Sequence, residues 1–326
     1  MKKLNIIEEE NSFYDDKNRV IVLPEAGFSD RIVEAGKLAA QRGIAKIVLL
    51  VKGSQLKNQK FDEKNIKIVN IETSELRPML ESALYVKRAK KGVTREQAKQ
   101  IIKNPIYFGT MMLDLGLVDG LVSGAESSTA DTFRPALQII KGKEGQKVSS
   151  FFHMMKDDQN FLFADCGLME DPTAEELCDI AYQSYHSAKT VCGIKVPRIA
   201  FLSYSTKGSA EGSSPDKSRK AYELFAKKYP DIIADGELQL DAAIVPSVAK
   251  LKCPNSKVAG KANILIFPDL QSGNIGYKLS QRLGGFTAVG PISQGLNKPV
   301  NDVSRGASVE DIVSAIDITK KQINIK

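Results

Sequence analysis

The stretch RVIVLPEAGFSDRIVEAGKLAAQRGIAKIVLLV, Arg19 to Val51, predicts one β-α-β unit. Its two ends, Arg19 to Leu23 and Ile47 to Val51, are short apolar runs rich in β-branched residues, which is typical of buried strands. Between them, from about Ser29 to Arg42, apolar residues recur at the spacing of a helix. Strands joined through a helix run parallel in one sheet, so this stretch indicates an α/β protein.

The same alternation continues along the chain. A strand is predicted at Lys67 to Ile71, and mostly helical segments are predicted from Glu75 to Asp114. The apolar stretch Leu121 to Ser123 follows and ends at a glycine-rich bend. The polar stretch Lys141 to Lys147 predicts a crossing between two domains. We expect parallel sheets flanked by helices. Later strands are predicted at Phe161 to Ala164, Ile199 to Ser203 and Ile264 to Phe267, and later helices at Thr173 to Ser187, Lys217 to Lys228 and Ser308 to Ile323.

Length and charge restrict the class of protein. The 326 residues favour two domains, and 46 basic against 39 acidic side chains give a net charge of +7, which favours anionic partners. No apolar run approaches the roughly 18 residues of a membrane-spanning helix. The N-terminus turns acidic at Glu8 to Glu10 before a signal-peptide core develops. We therefore expect a cytoplasmic protein with no membrane partner.

The cysteine and glycine patterns suggest neither a metal nor a nucleotide cofactor. The four cysteines lack a CxxC pair, and two histidines cannot supply a His-rich metal site. No GxGxxG follows a strand, and no GxxxxGK[ST] is present. Cys166, just past a predicted strand, has two interpretations: an acyl-accepting nucleophile or, more commonly, a small buried residue.

About twenty residues, Gly290 to Asp311, show little regular pattern between a strand ending near Val289 and the last helix. Long irregular segments in compact domains are often functional. Within this one, Ser304-Arg305-Gly306 precedes the helix and Ser308-Val309-Glu310-Asp311 matches a capping box.

Asp311 therefore has two interpretations. The commoner one is a helix cap, and the functional one is a general base, with Arg305 binding an anion. The two conflict, because a helix N-terminus favours the ionised carboxylate whereas deprotonating a thiol needs a stronger base. Burial in a cleft would be needed for the base to form.

Two other segments are candidates for binding phosphate. Ser203 to Gly212 follows a strand and combines small residues, hydroxyls and one Lys, which suits either a backbone cradle or a flexible loop. Ser127 to Pro135 places hydroxyls and Arg134 before a helix that Pro135 can open. Arg134 could hold phosphate bidentately, although a single Arg is more often a solvated surface residue.

The basic run Lys87 to Lys91, which contains Arg88, ends a predicted helix. Its usual explanation is a solvated face that complements the helix dipole. Nucleic-acid binding is a weak alternative, since the chain has no Trp and only scattered aromatic residues accompany the run. A phosphorylated small molecule fits the modest charge better.

Six segments form a set that is more specific than any single motif. They are FGTMMLDLGLVDGLVSGAESSTADTFRPALQIIK (Phe108 to Lys141), FADCG (Phe163 to Gly167), LSYSTKGSAEG (Leu202 to Gly212), DGELQLDAA (Asp235 to Ala243), ANILIFPDLQSGNIGYKLSQRLGG (Ala262 to Gly285) and GPISQGLNKPVNDVSRGASVEDIV (Gly290 to Val313). In this order, and over nearly the whole chain, they resemble phosphotransacetylases (phosphate acetyltransferases) of the phosphate acetyl/butyryltransferase family.

The resemblance implies an enzyme for reversible acetyl transfer, acetyl-CoA + phosphate = acetyl phosphate + CoA, with no cofactor besides these substrates. It implies two α/β domains around an interdomain cleft, an isocitrate/isopropylmalate dehydrogenase-like architecture, and a homodimer. Domain I would comprise residues 1–143 plus 298–326, closed by the C-terminal helix. Domain II would comprise residues 144–297.

The resemblance also implies residue roles. The CoA thiolate would attack the acetyl carbonyl directly in a ternary complex, without a covalent acyl-enzyme. Asp311 would take the thiol proton, Arg305 would neutralise the phosphate and the developing charge, and Ser304 would hydrogen-bond the reacting acyl group. Arg88 and Arg134 match family arginines implicated in binding CoA and phosphate. The other expected CoA or phosphate contacts are Ser128, Thr129, Ser205, Thr206, Lys207, Gly208 and Ser209.

Two positions depart from the family pattern. Ala307 stands where relatives often carry Cys, which argues against an essential thiol there. Gly167 to Pro172 lacks the small residue and Asn that usually precede the Pro, so local loop contacts differ.

Three other functions stay open. A phosphate butyryltransferase would share the fold and the chemistry. A dehydrogenase on the same architecture is disfavoured by the missing NAD signature. A CoA- or nucleic-acid-binding module is the non-enzyme alternative.

Overall fold

The computed structural model describes residues 13, 19–57, 59–142 and 147–323. These residues form two compact units. Unit 1 contains the described residues up to Lys141 and those from Leu296 onward, and unit 2 contains the described residues from Gly142 to Gly295.

Strands and helices alternate along both units. The strands are β1 (Val20–Leu23), β2 (Lys46–Val51), β3 (Ile66–Asn70), β4 (Gly120–Ser123), β5 (Ser149–Lys156), β6 (Gln159–Ala164), β7 (Ile199–Leu202), β8 (Ala234–Leu238), β9 (Ile264–Ile266), β10 (Thr287–Gln294) and β11 (Val300–Asp302). The helices are α1 (Asp30–Gln41), α2 (Arg77–Arg88), α3 (Arg95–Ile101), α4 (Pro105–Asp114), α5 (Thr129–Ile139), α6 (Ala174–Thr190), α7 (Ser213–Lys228), α8 (Leu240–Ile244), α9 (Pro246–Lys252), α10 (Leu270–Arg282) and α11 (Val309–Ile323). The predicted α/β class is confirmed.

The sheet of unit 1 is parallel throughout, in the order β11-β4-β1-β2-β3. Strands β1, β2 and β4 are buried along their whole length, as expected for a parallel sheet covered on both faces. On one face Ile21, Leu23 and Ile47 pack with the apolar sides of α1 and α11. On the other face, α4 approaches so closely that Gly109 lies against Leu50 and Leu121. Alternate residues of each strand thus serve opposite layers.

The sheet of unit 2 is mixed, in the order β10-β5-β6-β9-β7-β8. Strands β6, β9, β7 and β8 run parallel, as the β-α-β pattern predicts, whereas β10 and β5 pair antiparallel. The wholly parallel prediction is wrong there because Asp157, with φ of 52°, and Asp158 form a two-residue turn that folds β5 directly back into β6.

The prediction that residues 290 to 311 lack regular structure is wrong in two places. Strand β10 continues to Gln294, and β11 occupies Val300–Asp302. The ladder between β10 and β5 shifts its register between Val289 and Ile292, so the side-chain alternation is broken. Pro291 and Pro299 also argue against strands at these positions in the sequence, because proline cannot donate a hydrogen bond to a sheet.

Candidate active site

Three adjacent strands of unit 1 end side by side. They are β11, β4 and β1, and each is followed by a loop rich in polar residues. The chain order reverses direction between β1 and β4, because β2 and β3 lie on the other side of β1. In parallel α/β sheets, ligands bind outside the carboxyl ends of the strands at such a reversal. This edge is therefore the candidate site of unit 1.

Glu25 joins the loops after β1 and β4. Its side chain is buried, and Oε2 accepts hydrogen bonds from the backbone N–H groups of Gly124 and Ala125, both at 2.8 Å. Oε1 accepts a third from the N–H of Glu126 at 3.2 Å. A side chain of the protein itself thus occupies a backbone cradle of the type that binds anions.

Arg31 joins the loops after β4 and β11. Its Nη1 donates to the carbonyl oxygens of Arg305 at 2.9 Å and Ala307 at 2.7 Å. Its Nη2 donates to the carbonyl oxygen of Ala125 at 2.9 Å and to the Glu126 carboxylate at 3.0 Å. The hydrogen bonds from Arg31 and then from Ser29 lower the pKa of Glu126. One planar guanidinium therefore fixes the backbone of two neighbouring loops, those after β4 and β11, next to the switch point.

The backbone of Ser304 and Arg305 is held while the Arg305 side chain is left open. Ser304 accepts two local hydrogen bonds, from the N–H of Gly306 to Oγ at 3.2 Å and from the N–H of Ala307 to its carbonyl oxygen at 2.8 Å. Both Ser304 and Arg305 are exposed. The Arg305 guanidinium forms no hydrogen bond or ion pair with the part of the chain that the structure describes. It is therefore a cation available to an external anion.

Ala307, which stands where relatives often carry Cys, is a packing residue. Its side chain is buried in the core with Ile312 and Ile316, and its carbonyl oxygen belongs to the Arg31 clamp. The position is therefore a small packing site.

Asp311 caps α11 with one oxygen only. Its Oδ2 accepts hydrogen bonds from the N–H of Ser308 at 2.9 Å and from Ser308 Oγ at 2.8 Å, while the N–H of Asp311 donates to Ser308 Oγ at 3.2 Å. The residue is exposed, and Oδ1 accepts no hydrogen bond from a described residue. The cap predicted from sequence is present, and it leaves one carboxylate oxygen open. Because Asp311 is exposed within the described part of the chain, the burial that the general-base interpretation needs is not found there, and that interpretation stays a prediction.

Ser128 and Thr129 begin α5. Ser128 Oγ accepts a hydrogen bond from the N–H of Asp131 at 3.2 Å and donates to the Asp131 carboxylate at 2.7 Å. Thr129 Oγ1 donates to Asp302 Oδ2 at 2.6 Å. The prediction that Pro135 opens this helix is wrong: Pro135 lies inside it, because the Ser128 cap starts the helix six residues earlier.

Arg88 and Arg134 lie on two helices that pack against α4, the helix of Tyr107. Arg88 ends α2, and Arg134 lies on α5 with its side chain 56% exposed and paired to Asp131 at 3.1 Å. Burial raises the pKa of Tyr107 on α4, and the positive charges of Arg134 and Arg88 both oppose that rise. The guanidinium of Arg88 pairs with no residue in the described ranges. Helices α2 and α5, which carry the two arginines predicted to bind CoA and phosphate, both pack against α4.

The loop from Ser205 to Ser209 lies in unit 2, where a buried acid uses its donors. Glu237 accepts hydrogen bonds from Ser205 Oγ at 2.9 Å, from the N–H of Gly208 at 2.7 Å and from Arg219 Nε at 3.1 Å. Burial alone would raise the pKa of Glu237, but Arg219, the N–H of Gly208 and Ser205 hold it at about 2. This loop is an ordered turn rather than a flexible one.

The other members of the loop are also paired. The N–H of Thr206 donates to Ser209 Oγ at 2.9 Å, and Lys207 Nζ bonds the Asp235 carboxylate and the carbonyl oxygen of Gly236. The expectation that this loop contacts CoA or phosphate stays a prediction.

Cys166 has the features of a packing residue. It is fully buried, and burial, with a smaller contribution from Asp165, raises the pKa of its thiol well above the ordinary value. The neighbouring Asp165 carboxylate accepts the N–H groups of Gly167, Leu168 and Met169, which shapes the loop after β6. A nucleophile needs an accessible thiolate, so the interpretation as a small buried residue fits this geometry.

The described residues contain no group of three or more His, Cys, Asp or Glu placed to hold a metal ion. None of their helices combines the length and apolar character that crossing a membrane requires.

Sequence patterns missed two residues of unit 1. Glu25 and Arg31 act through partners that are distant in the chain, and each lies in a short polar or mixed stretch with no motif of its own. The signal that could have revealed Glu25 is a charged residue directly after a wholly apolar strand, where a parallel sheet presents its loops.

Fold and loops together define an α/β protein with cationic side chains at a parallel-sheet switch point. The sequence profile described as "Phosphate acetyl/butaryl transferase" matches residues 4–320. The chain therefore belongs to this family and is an acyltransferase.

The relatives extend over nearly the whole chain. The phosphate acetyltransferase of Thermoanaerobacterium thermosaccharolyticum is 48% identical over 98% of each chain. The crystal structure of a phosphotransacetylase from Streptococcus pyogenes superposes with a TM-score of 0.89 at 43% identity, covering 99% of both chains. The EutD phosphotransacetylase from Staphylococcus aureus gives 0.86 at 42% identity, covering 96% of this chain and 97% of that one. The predicted family and its two-domain α/β fold type are confirmed.

Proposed function

We propose that this protein is a phosphate acetyltransferase that catalyses acetyl-CoA + phosphate = acetyl phosphate + CoA. The names of the most similar relatives support the choice of acyl group and acceptor. The observation that carries the proposal is the loop before α11, which offers the unpaired Arg305 guanidinium and the open Oδ1 of Asp311. A cation and a base held on one short segment are what acyl transfer to a thiol requires.

Asp311 takes the proton from the CoA thiol. Ser308 fixes the carboxylate through Oδ2, so Oδ1 is oriented outward and receives the proton. The thiolate attacks the carbonyl carbon of acetyl phosphate, and the C–O bond to the phosphate breaks. The products are acetyl-CoA and inorganic phosphate, and the reverse reaction returns the proton from Asp311 to the thiolate.

Arg305 stabilises the phosphate that leaves, and Ser304 donates a hydrogen bond to the acyl oxygen. Arg31 holds the backbone of Arg305 without pairing its side chain, so the main chain is fixed while the guanidinium stays available to substrate. Preorganised donors of this kind contribute most where charge develops in the transition state.

Arg88 and Arg134 bind the phosphates of CoA or the phosphate substrate. Both lie in unit 1 on helices that pack against α4, and guanidinium groups match phosphate oxygens in pairs. We propose a homodimer in the cytoplasm, from the family resemblance, and no cofactor, because thiol, acyl phosphate and thioester supply all the reacting atoms.

The test measures thioester absorbance with purified full-length protein, acetyl phosphate and CoA. We expect CoA-dependent thioester formation, and folded protein that forms none would refute the proposal. Arg305→Gln should remove most of the activity, whereas Arg42→Gln, which changes an exposed arginine paired with Glu310, should keep it. Butyryl phosphate serves as the competing substrate. Each added methylene changes the discrimination by about 1–3 kcal/mol, so kcat/KM for the two acyl phosphates decides the acyl preference.

A further inference from the structure

A buried acid, Asp302, lies two residues before Ser304. It ends β11 and is 4% exposed. The proposed reaction gives it no task, and the family resemblance assigns it no role. Its surroundings nevertheless connect two parts of the candidate site.

The first connection is to the start of α5. Thr129 Oγ1 donates to Asp302 Oδ2 at 2.6 Å, and Thr129 is the first residue of the helix that carries Arg134. Asp302 also belongs to the strand that leads into Ser304 and Arg305. One hydrogen bond therefore joins the segment with the proposed catalytic arginine to the helix with a proposed phosphate-binding arginine.

The second observation is a set of unpaired polar atoms around this bond. Asp302 Oδ1, Ser123 Oγ and Thr132 Oγ1 are buried and have no hydrogen-bond partner of normal geometry in the described chain. Ser123 is the register partner of Asp302 on β4, and Thr132 lies three residues after Thr129 on α5. Unpaired buried polar groups cost folding stability, and proteins keep such groups chiefly where function needs them.

The backbone makes room for the acid. A Cβ at Gly124, whose φ is 106°, would overlap Asp302 Oδ1. Glu25, the other buried acid here, is satisfied by three backbone N–H groups, whereas Asp302 is not. Burial raises the pKa of Asp302 to about 6, against the hydroxyls of Thr129 and Thr132, and the charge of Glu25 adds to the rise.

We propose that Asp302 is a positioning residue for acyl transfer, which holds Ser304 and Arg305 in place against α5 through its hydrogen bond from Thr129. Thr129, expected from the resemblance to contact substrate, then acts through Asp302. The effect of Asp302 on catalysis rests on the proposed function, whereas its effect on the order of residues 303 to 308 does not depend on that function.

The test compares Thr129→Val, which keeps the shape and removes the hydroxyl, with Thr129→Ser, which keeps the hydroxyl. We expect Thr129→Val to lower kcat about 10- to 100-fold, the scale of a misplaced catalytic group, with a much smaller change in KM. Thr129→Ser should restore most of kcat. An unchanged kcat in Thr129→Val, or an equal loss in both variants, overturns the proposal.

Hydrogen exchange gives a readout that needs no activity. Peptides covering residues 303 to 308 should exchange faster in Thr129→Val than in wild type and Thr129→Ser, while peptides of α7 in unit 2 exchange equally. Equal exchange of the 303–308 peptides in all three proteins overturns the positioning role. If wild-type protein transfers no acetyl group, the proposed function fails, and the exchange comparison alone decides whether Asp302 holds the loop.

Discussion

Arg31 Nη1 donates a hydrogen bond to the carbonyl oxygen of Arg305 at 2.9 Å, between residues 274 positions apart in the chain. The same guanidinium reaches Ala125 on the neighbouring loop. A helix residue near the start of the sequence thus fixes the backbone of a residue near its end. The placement of the Arg305 main chain therefore depends on Arg31, and the Arg305 guanidinium has no partner among the described residues.

Arg31→Lys should lower kcat about 10- to 100-fold, because a Lys ammonium is a single donor atom and lacks the planar fork whose two nitrogens separately reach the carbonyl oxygens of Arg305 and Ala307 and that of Ala125. Steady-state kinetics with acetyl phosphate and CoA measure the effect. Arg42→Lys is the matched control, since Arg42 follows the same helix and also makes a forked contact, but to exposed Glu310. Equal kinetics for the two variants would show that the clamp does not position Arg305.

The sequence could predict the loop but not its clamp. Ser304-Arg305-Gly306 and the capping box that includes Asp311 are local patterns, so they are visible in one short stretch. Arg31 lies on the polar side of an amphipathic helix, near its start. The helical periodicity cannot indicate that the loop after β11 lies next to this side chain, because that depends on the pairing of strands. Only the pairing of β11 with β4 brings these residues together.

Asp311→Asn should lower kcat by at least about 100-fold while stability changes little, because the amide oxygen can still accept the Ser308 bonds but cannot take a proton. Ser308→Ala tests the opposite case: it removes the cap and should cost about 1 kcal/mol of stability with a smaller kinetic effect. Kinetics and thermal unfolding of both variants separate the roles. Near-normal turnover by Asp311→Asn would leave Asp311 as a cap alone.

Unit 2 shows the converse limit of sequence patterns. Ser205 to Ser209 has the composition of a phosphate cradle, yet Ser205, Gly208 and Lys207 bond acids of β8. Composition reveals which donors a loop has but not which acceptors the fold already supplies. Glu237 is the acceptor for Ser205 and Gly208. It lies in the strand Ala234–Leu238, and nothing in the sequence of that strand indicates that its side chain bonds the loop.

Glu237→Gln should destabilise unit 2 at neutral pH and lose this effect in acid. Because the folded pKa of about 2 lies below the ordinary 4.5, the carboxylate stabilises the fold above pH 4.5, and its contribution disappears as the pH falls toward 2. The Tm difference between wild type and variant should therefore shrink steadily from pH 4.5 downward. Glu223→Gln, an exposed change on α7, should show no such dependence. A Tm difference that stays constant with pH would exclude this account.

Gly124→Ala should be among the most destabilising single-methyl additions in unit 1. Gly124 has φ of 106°, its added Cβ would overlap Asp302 Oδ1, and the carbonyl oxygen of Val303 would be 2.5 Å away. Because backbone must move, we expect a loss above about 3 kcal/mol in denaturant unfolding. Gly43→Ala is the control: with φ of 64° and no atom within 4 Å of its Cβ, it should cost only about 1 kcal/mol from the left-handed backbone. Equal losses would mean that the two loops move apart freely, and that the close approach of Asp302 to Gly124 is not fixed.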